Sequence, residues 1–197
     1  MVRKGVMESE ALTKTLEVLK AISDLEMALA EFYRYCSEVR ETQKDFWLTL
    51  EQDEQKHARK VQEMAQMLGE GESLLVPNTS FNVAPVHHLK NFIAKSLNRL
   101  QSYQIPTDYK TLLSIAWNIE YSITEIKYND LFSIAEQEYE KLMQTVISET
   151  AAHRAQLGSK ITAMRNTPAK GHNRAAPKMQ NEAPKRINHK GNGLKLS

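Results

Sequence analysis

Six carboxylate and imidazole side chains interrupt four apolar series whose members lie three or four residues apart. The six are Glu26, Glu54, His57, Glu120, Glu149 and His153. Because this spacing returns to one face of an α-helix, each side chain belongs to a surface that should pack against a core. A buried carboxylate is costly unless it is compensated, and a bound cation is one of the few available compensators. The pattern therefore predicts a centre of two metal ions held between four helices.

Each residue type suits such a centre. Carboxylates are hard oxygen donors that can bridge two cations, and imidazole suits iron, manganese or zinc. Glu54 and His57 are three residues apart, whereas Glu149 and His153 are four apart, and both spacings keep the pair on one helical face. A single Glu on a charged helix is more commonly a boundary residue or the partner of a Lys, so the prediction depends on the whole set. Asp53 falls off the apolar face and is interpreted as solvated.

The apolar periodicity and the turn residues predict four long helices and one short one. The first two long helices and the short one have these expected bounds: Glu8 to Val39, Thr42 to Leu68, and His88 to Tyr103. The third long helix begins after Thr107, and the fourth ends near Gly158 or Met164. Thr42 and Thr107 are the expected N-caps, and Ser133 with Glu136 forms a capping box after a joint near 129–133.

The two halves of this arrangement are alike. Each is a helical hairpin with a Glu on its first helix and a Glu and a His on its second; 31 residues separate Glu26 from His57, and 33 separate Glu120 from His153. A crossover at about 69–108 joins them and is long enough to run the length of the hairpins. We therefore predict an all-α fold, an antiparallel four-helix bundle with one long crossover that contains a short helix.

Composition limits the other possibilities. Hydrophobic residues make up 41% of the chain, and Cys36 is the only cysteine, so an internal disulfide and a cysteine-based metal site are excluded. The first ten residues lack the apolar core of a signal peptide, and no apolar run approaches the roughly 20 residues of a membrane span. These features predict a cytoplasmic protein without membrane contact.

Charge divides the chain into two parts. Residues 165–197 carry eight Lys or Arg against Glu182, a net charge of +7, whereas residues 1–164 carry 18 basic and 23 acidic residues, a net charge of −5. The basic part has few apolar side chains to bury and is expected to be disordered in isolation. We predict a helical domain at 1–164 and a basic tail at 165–197. The tail is interpreted as a solvated terminus, with contact to nucleic acid or an acidic partner as the alternative.

Three segments resemble the rubrerythrin-like branch of the ferritin-like superfamily. They are Glu26-Met-Ala-Leu-Ala-Glu-Phe-Tyr33, Glu54-Gln-Lys-His57-Ala58 and Ala116-Trp-Asn-Ile-Glu120, and the resemblance covers about residues 10–160. It implies a ferritin-like bundle with a dinuclear iron centre that handles peroxide or dioxygen, and by analogy a homodimer. The chain departs from the family at Thr150, where a Glu is expected, and at Ile123, where rubrerythrins carry a further Glu. The four-cysteine rubredoxin domain is also absent, so electrons would come from a separate donor.

Two hypotheses follow from different classes of function. The first is a ferritin-like oxidoreductase or iron-handling protein that holds two metal ions, iron or else manganese or zinc, through the six residues named at the outset. The second is a helical scaffold or partner-binding protein with a degenerate site, in which the buried carboxylates pair with Lys127, with the histidines, or with each other by sharing protons. Metal content and the effect of metal on thermal stability distinguish the two.

Overall fold

The computed structural model describes residues 2–69, 76–78, 81–134 and 137–166. It confirms an all-α protein at the level of its main elements. The five α-helices are α1 (Val2–Val39), α2 (Lys44–Gly69), α3 (Ala84–Gln101), α4 (Tyr109–Glu125) and α5 (Gln137–Asn166). The four long helices of the sequence prediction correspond to α1, α2, α4 and α5, and α3 is the short helix of the crossover.

Helices α1 and α2 form a hairpin with a very short connection. A 3₁₀ turn at Glu41–Gln43 joins them, and the amide of Gln43 donates to the carbonyl oxygen of Arg40 at 2.9 Å. Thr42 lies inside this turn, so the prediction that it caps α2 is wrong. The backbone turn itself supplies the hydrogen bond at the junction. So short a link makes α1 and α2 antiparallel, and they form the most extensive helix pair of the described chain.

One apolar core lies between the long helices. Aromatic side chains fill the end of the core nearest the α1–α2 turn: Tyr33 stacks on Trp47 with ring centroids 5.8 Å apart, and the edge of Tyr109 meets Trp47 at 6.0 Å. Leucine and isoleucine side chains of α1 continue the core along the bundle of helices. These buried residues include Leu19, Ile22, Leu25 and Leu29. Apolar burial of this extent supplies the main stabilisation of such a domain.

The crossover helix α3 packs mainly against α1. Its buried face consists of residues at helical spacing, namely Val86, Leu89, Ile93, Leu97 and Leu100. Lys90 on α3 bonds to Asp24 on α1 at 2.9 Å. The structure begins this helix at Ala84, four residues before the predicted start at His88, because Pro85 in its first turn fits a helical N-terminus.

Helix α4 begins at a side-chain cap. The Asp108 carboxylate accepts from the amide of Thr111 at 3.1 Å and from its hydroxyl at 2.7 Å. The prediction of Thr107 as the cap is therefore wrong by one residue. An ionised Asp at this position also interacts favourably with the helix dipole, and it satisfies an amide that has no partner within the helix.

The joint between α4 and α5 differs in detail from the prediction. Lys127 adopts a left-handed backbone (φ 54°), and a 3₁₀ turn at Tyr128–Leu131 and a strand β2 (Phe132–Ile134) follow it. Strand β2 pairs antiparallel with β1 (Val76–Pro77) in the crossover, and the amide of Asn78 donates to the carbonyl oxygen of Leu131 at 3.0 Å. This strand pair was not predicted. The structure does not describe the side chains of Ser133 and Glu136, so the capping box there stays a prediction.

Helix α5 continues to Asn166, slightly beyond the expected end at Gly158 or Met164. The predicted tail after that point lies outside the described residues, so the boundary at 164 stays a prediction. Among the described residues, no helix combines the length and the apolar character that a membrane span requires.

The cap of α4 leads to a stability prediction. Asp108→Ala should lower the free energy of unfolding by about 1 kcal/mol, because the Thr111 amide loses its partner. Urea unfolding followed by circular dichroism measures the change. Thr107→Ala is the matched control and should leave the unfolding midpoint nearly unchanged. Equal losses from the two substitutions would contradict the assignment of the cap to Asp108.

Candidate metal centre

Five polar side chains meet in the middle of the apolar core. Helix α1 contributes Glu26, α2 contributes Glu54 and His57, α4 contributes Glu120, and α5 contributes His153. The three glutamates and His57 are completely inaccessible to solvent, and His153 is 3% exposed. Each lies on the apolar face of its helix, so packing of the four faces brings the five together. The convergence that the sequence predicted is observed for these five residues.

The five side chains form two groups that have one member in common. Glu26, Glu54 and His57 form the first group, and Glu54, Glu120 and His153 form the second. In each group one donor atom from every residue lies within 4.8 Å of the others. Ligand atoms about 2.0–2.3 Å from a transition-metal ion have mutual separations in this range. Each group could hold one metal ion, with Glu54 as the residue shared between them.

Several donor atoms in this cluster lack a hydrogen bond despite complete burial. They are Glu26 Oε2, Glu54 Oε1, Glu120 Oε2 and His153 Nδ1. Glu54 Oε1 and His153 Nδ1 are 2.8 Å apart, yet both lack a partner because the approach does not have the alignment of a hydrogen bond. We take this contact as electrostatic. A buried polar group without a partner is unfavourable, and donors aimed at a common point suit a cation placed between them.

Mutual electrostatics separate the pKa values of the three glutamates. Burial opposes ionisation of Glu54, but His153 and His57 outweigh it and lower the pKa of that carboxyl to about 2. Burial and the negative charge of Glu54 raise the pKa of Glu120 to about 7, although His153 acts in the opposite direction. Burial and the charge of Glu54 also raise the pKa of Glu26 well above its ordinary value. Without metal, protons therefore compensate part of the negative charge.

The histidines are held in their charged form by the same carboxylates. Burial disfavours an imidazolium at His153, but Glu120 and Glu54 raise its pKa to about 10. At His57 burial acts in the same unfavourable direction, and Glu54 and Glu149 overcome it and raise the pKa. A metal ion must displace these protons before either imidazole can bind it. Any binding of metal at this cluster would therefore release protons.

Each histidine directs one nitrogen into the cluster and the other towards an acidic side chain of the opposite hairpin. The Nδ1 atom of His57 lies 3.0 Å from Glu54, and its Nε2 lies 2.8 Å from Glu149 on α5. The Nδ1 atom of His153 faces Glu54 and Glu120, and its Nε2 lies 3.5 Å from Asp53 on α2. An outer carboxylate of this kind fixes the tautomer and orientation of a metal-binding imidazole.

Glu149, the sixth predicted donor, lies outside both groups. Its side chain is 43% exposed, and the Oε2 atom that meets His57 also accepts from Lys60 at 3.1 Å. The four-residue spacing from His153 turns Glu149 away from the centre, and the position three residues before His153 belongs to the buried Thr150. Metal binding by any of the six remains a prediction, and the geometry gives Glu149 the place of an outer carboxylate.

Two tyrosines donate hydrogen bonds to the glutamates on the first helix of each hairpin, Glu26 on α1 and Glu120 on α4. Tyr33, seven residues after Glu26, donates to Glu120 at 2.6 Å, and Tyr128, eight residues after Glu120, donates to Glu26 at 3.3 Å. Each hairpin thus supplies a phenol to the carboxylate of the other. Both hydroxyl groups are buried, and burial raises their pKa values well above 10, so the phenols remain donors.

Asp53 is the residue that the sequence analysis missed most clearly. It had been interpreted as a solvated residue, and it does pair with Lys56 at 2.7 Å. Its other neighbour, His153, is a hundred residues away in sequence and on another helix. Its position next to Glu54 could have indicated this contact, because a residue beside a core position lies at the edge of the helix–helix interface. The register of α2 against α5, which determines the partner, is absent from the sequence pattern.

No family model, curated protein or solved structure matches this chain. The resemblance of three segments to rubrerythrin-like proteins therefore stays a prediction. What the structure adds is a chemical fit: a mixed set of carboxylate and imidazole donors, with buried atoms that lack partners, between four helices.

Without metal, stability should fall continuously from about pH 5 to about pH 10. The raised pKa of Glu120 makes its ionisation costly as pH rises from about 4.5 through about 7. His153 contributes its full stabilisation below about pH 6.5 and loses it as pH rises through about 10. Glu54 acts in the opposite direction, but only below about pH 4.5.

Urea unfolding in chelator-containing buffers across this range measures the trend. Glu120→Gln should flatten the part of the profile between about pH 5 and pH 7, because glutamine does not ionise. A free energy of unfolding that increases between pH 5 and pH 9 would contradict the charge distribution derived for the cluster.

Proposed function

We propose that this chain is a ferritin-like four-helix bundle with a dinuclear metal centre that serves a redox reaction with peroxide or dioxygen, or iron handling. The single observation that carries the proposal is that two buried groups, each of two Glu and one His, share Glu54, and that four buried donor atoms of these groups lack hydrogen bonds. A shared carboxylate between two sets of donors is the arrangement in which one residue bridges two ions. Carboxylates from four helices with two imidazoles are typical of di-iron and di-manganese bundles.

The donor set favours a redox-active metal over the alternatives. A hard cation such as Mg²⁺ or Ca²⁺ prefers oxygen ligands alone, whereas two imidazoles with three carboxylates suit iron or manganese, and zinc to a lesser extent. When bound, a pair of iron ions supplies electrons for reduction of peroxide or dioxygen. The surrounding core, with Leu29, Leu50 and Val146 fully or almost fully buried, keeps bulk water away from the centre.

The residues of this chain have distinct parts in the proposal. Glu54 would serve both ions, and Glu26 and Glu120 would each hold one of them. Tyr33 and Tyr128 donate to the Oε1 atoms of Glu120 and Glu26, which leaves Glu26 Oε2 and Glu120 Oε2 buried without a hydrogen bond. The outer nitrogens of the histidines are held by carboxylates of the opposite hairpin, and both Nδ1 atoms face the cluster. A metal ion would have to replace the hydrogen bond between His57 Nδ1 and Glu54.

Electrons for repeated turnover come, in this proposal, from a separate protein or small-molecule donor. The chain has one cysteine, Cys36, which is buried in the core, and burial raises the pKa of its thiol. A cysteine-ligated iron centre of its own is excluded by that count. A homodimer is part of the same proposal by analogy with related bundles.

Metal binding tests the proposal directly. After anaerobic loading with Fe²⁺ or Mn²⁺ and removal of excess ion, elemental analysis should give about two ions per chain. Glu54→Gln should abolish binding of the pair, because both groups lose their common donor. Glu149→Gln should weaken binding by about 10-fold, since it removes only the outer partner of His57.

Glu51→Gln, one turn before Glu54 on the same helix but outside the cluster, is the matched control and should bind metal normally. Fewer than about 0.2 ions per loaded wild-type chain would refute the metal centre. Equal losses from Glu54→Gln and Glu149→Gln would show that Glu149 is itself a ligand in the loaded state.

The redox reaction is tested separately. The iron-loaded chain, reduced and kept without oxygen, should consume added hydrogen peroxide faster than free Fe²⁺ does at the same concentration. The measurement is the decrease of the peroxide concentration with time. Glu54→Gln should remove this acceleration, and Glu51→Gln should retain it. Metal binding without accelerated peroxide or dioxygen consumption would favour metal storage or a structural centre over an oxidoreductase.

The second candidate is a helical scaffold with a degenerate site, and one observation favours it. His57 and His153 each lie between carboxylates at 2.8–3.5 Å, so the cluster has ionic partners within the protein itself. Under this hypothesis metal is unnecessary for folding or function. Thermal unfolding distinguishes the two, because an ion that binds only the native state must raise the melting temperature. Equal melting temperatures with and without Fe²⁺ or Mn²⁺ support the scaffold.

A further inference from the structure

A groove lies at the surface between α3 and α4, outside the polar cluster. Its volume is about 630 Å³, within the range of small-molecule sites. Pro85, Leu89 and Phe92 line it from α3, and Asn118 and Tyr121 line it from α4. These residues are three or four positions apart, so each helix contributes one continuous face. The most buried face of α3 packs against α1, which leaves this neighbouring face open.

Each helix supplies one exposed aromatic ring to the groove. Phe92 on α3 is 45% exposed, and Tyr121 on α4 is 44% exposed. Trp117 stacks on Tyr121 with ring centroids 5.5 Å apart, and Arg154 lies 5.8 Å over the same ring, so Tyr121 is held in place. Phe92 has no ring contact in the part of the chain that the structure describes. A ring that enters the groove could stack on Phe92 or meet it edge to face.

The groove carries no charged side chain among its described lining residues. Pro85, Leu89 and Ile126 add apolar surface to the two aromatic rings, and none of the described lining residues is Asp, Glu, Lys or Arg. A phosphate or carboxylate in this place would lose water without gaining an ionic partner, and that loss is costly. The lining therefore favours an uncharged ligand over an anion or a cation.

Asn118 gives the groove a polar group that can recognise a ligand. Its side-chain amide has no hydrogen-bond partner among the described residues, whereas the hydroxyl of Ser122 is already engaged, because it donates to the carbonyl oxygen of Asn118 at 2.9 Å. A side-chain amide offers a donor and an acceptor side by side. Asparagine uses this pair to bind the edge of a nucleic-acid base, where a donor and an acceptor are also adjacent.

We propose that the groove between α3 and α4 binds an uncharged nitrogen heteroaromatic ring with adjacent N–H and C=O groups, such as the ring of a flavin or a pyrimidine. The ring packs against Phe92, and the side-chain amide of Asn118 pairs with its N–H and C=O groups. None of the five cluster residues lines the groove. The site is therefore independent of metal, and it is tested on the metal-free chain.

Riboflavin is a suitable probe, because its ring has an N–H group between two carbonyl groups and its fluorescence reports binding. The full chain, in a buffer that contains a chelator, should quench this fluorescence and reach saturation. Flavin mononucleotide differs from riboflavin by one phosphate, and it should bind no more tightly because the lining offers that phosphate no cation. The absence of saturable riboflavin binding would overturn the site. Tighter binding of flavin mononucleotide would also overturn it.

Substitutions in the groove locate the probe. Phe92→Ala should weaken riboflavin binding by at least about fivefold, the lower end of what stacking on an aromatic side chain contributes. Asn91→Ala is the matched control: this residue is exposed on the same helix and lies outside the lining, so its substitution should leave the affinity unchanged. Because both side chains are exposed, both variants should keep the circular dichroism spectrum of the wild type. Equal affinities of the two variants would place the ring elsewhere and refute the proposal.

The pairing with Asn118 has its own test. Asn118→Ala should weaken riboflavin binding between about twofold and tenfold, as expected for the loss of hydrogen bonds. Riboflavin with a methyl group on the ring N–H should bind the wild type less tightly by a similar factor. The same methylated probe and riboflavin should bind Asn118→Ala equally well, because the partner of the N–H group is already gone. A methyl group that weakens binding to both proteins by the same factor would contradict the pairing.

Discussion

The structure depends on the burial of three carboxylates and two imidazoles inside one apolar core. Glu26, Glu54 and Glu120 come from three helices, and none of them is accessible to water. The free-energy cost of burying even one unpaired charge in an apolar core is larger than the stabilisation that most single contacts provide. The four long helices can therefore pack only in registers that bring the acidic and basic groups together. The negative charge of this cluster must be compensated by protons or by metal, and this requirement constrains how the rest of the chain can fold.

The contacts that meet this constraint are reciprocal between the two hairpins. Tyr33 of the first hairpin donates to Glu120 of the second, and Tyr128 of the second donates to Glu26 of the first. The outer carboxylates Asp53 and Glu149 reach across in the same way to the opposite histidines. Neither hairpin could complete its own half of the cluster. Such contacts couple the docking of the hairpins to the formation of the site, because every support residue is supplied from the other side.

Most of the helical framework could be predicted from sequence because apolar spacing and turn residues are local signals. The first two helices end within two residues of their predicted ends, and the short crossover helix overlaps most of its predicted range, although it begins four residues earlier. Local details were less predictable. Thr42 and Thr107 were plausible caps by residue type, but a backbone turn and the neighbouring Asp108 supply the hydrogen bonds at those helix starts. The β1–β2 pair joins segments more than fifty residues apart, and no local pattern indicates such pairing.

The sequence by itself determined which side chains belong to the core of each helix, since three- and four-residue spacing fixes the face on which a residue lies. That was enough to identify Glu26, Glu54, His57, Glu120 and His153 as members of one site. Only the tertiary structure decided how these members meet. The rotation and register of α5 against α2 place Glu149 on the outside and Thr150 on the inside, bring Asp53 to His153, and open a pocket beside Tyr128. Those parameters depend on packing between distant segments, which a helical period cannot encode.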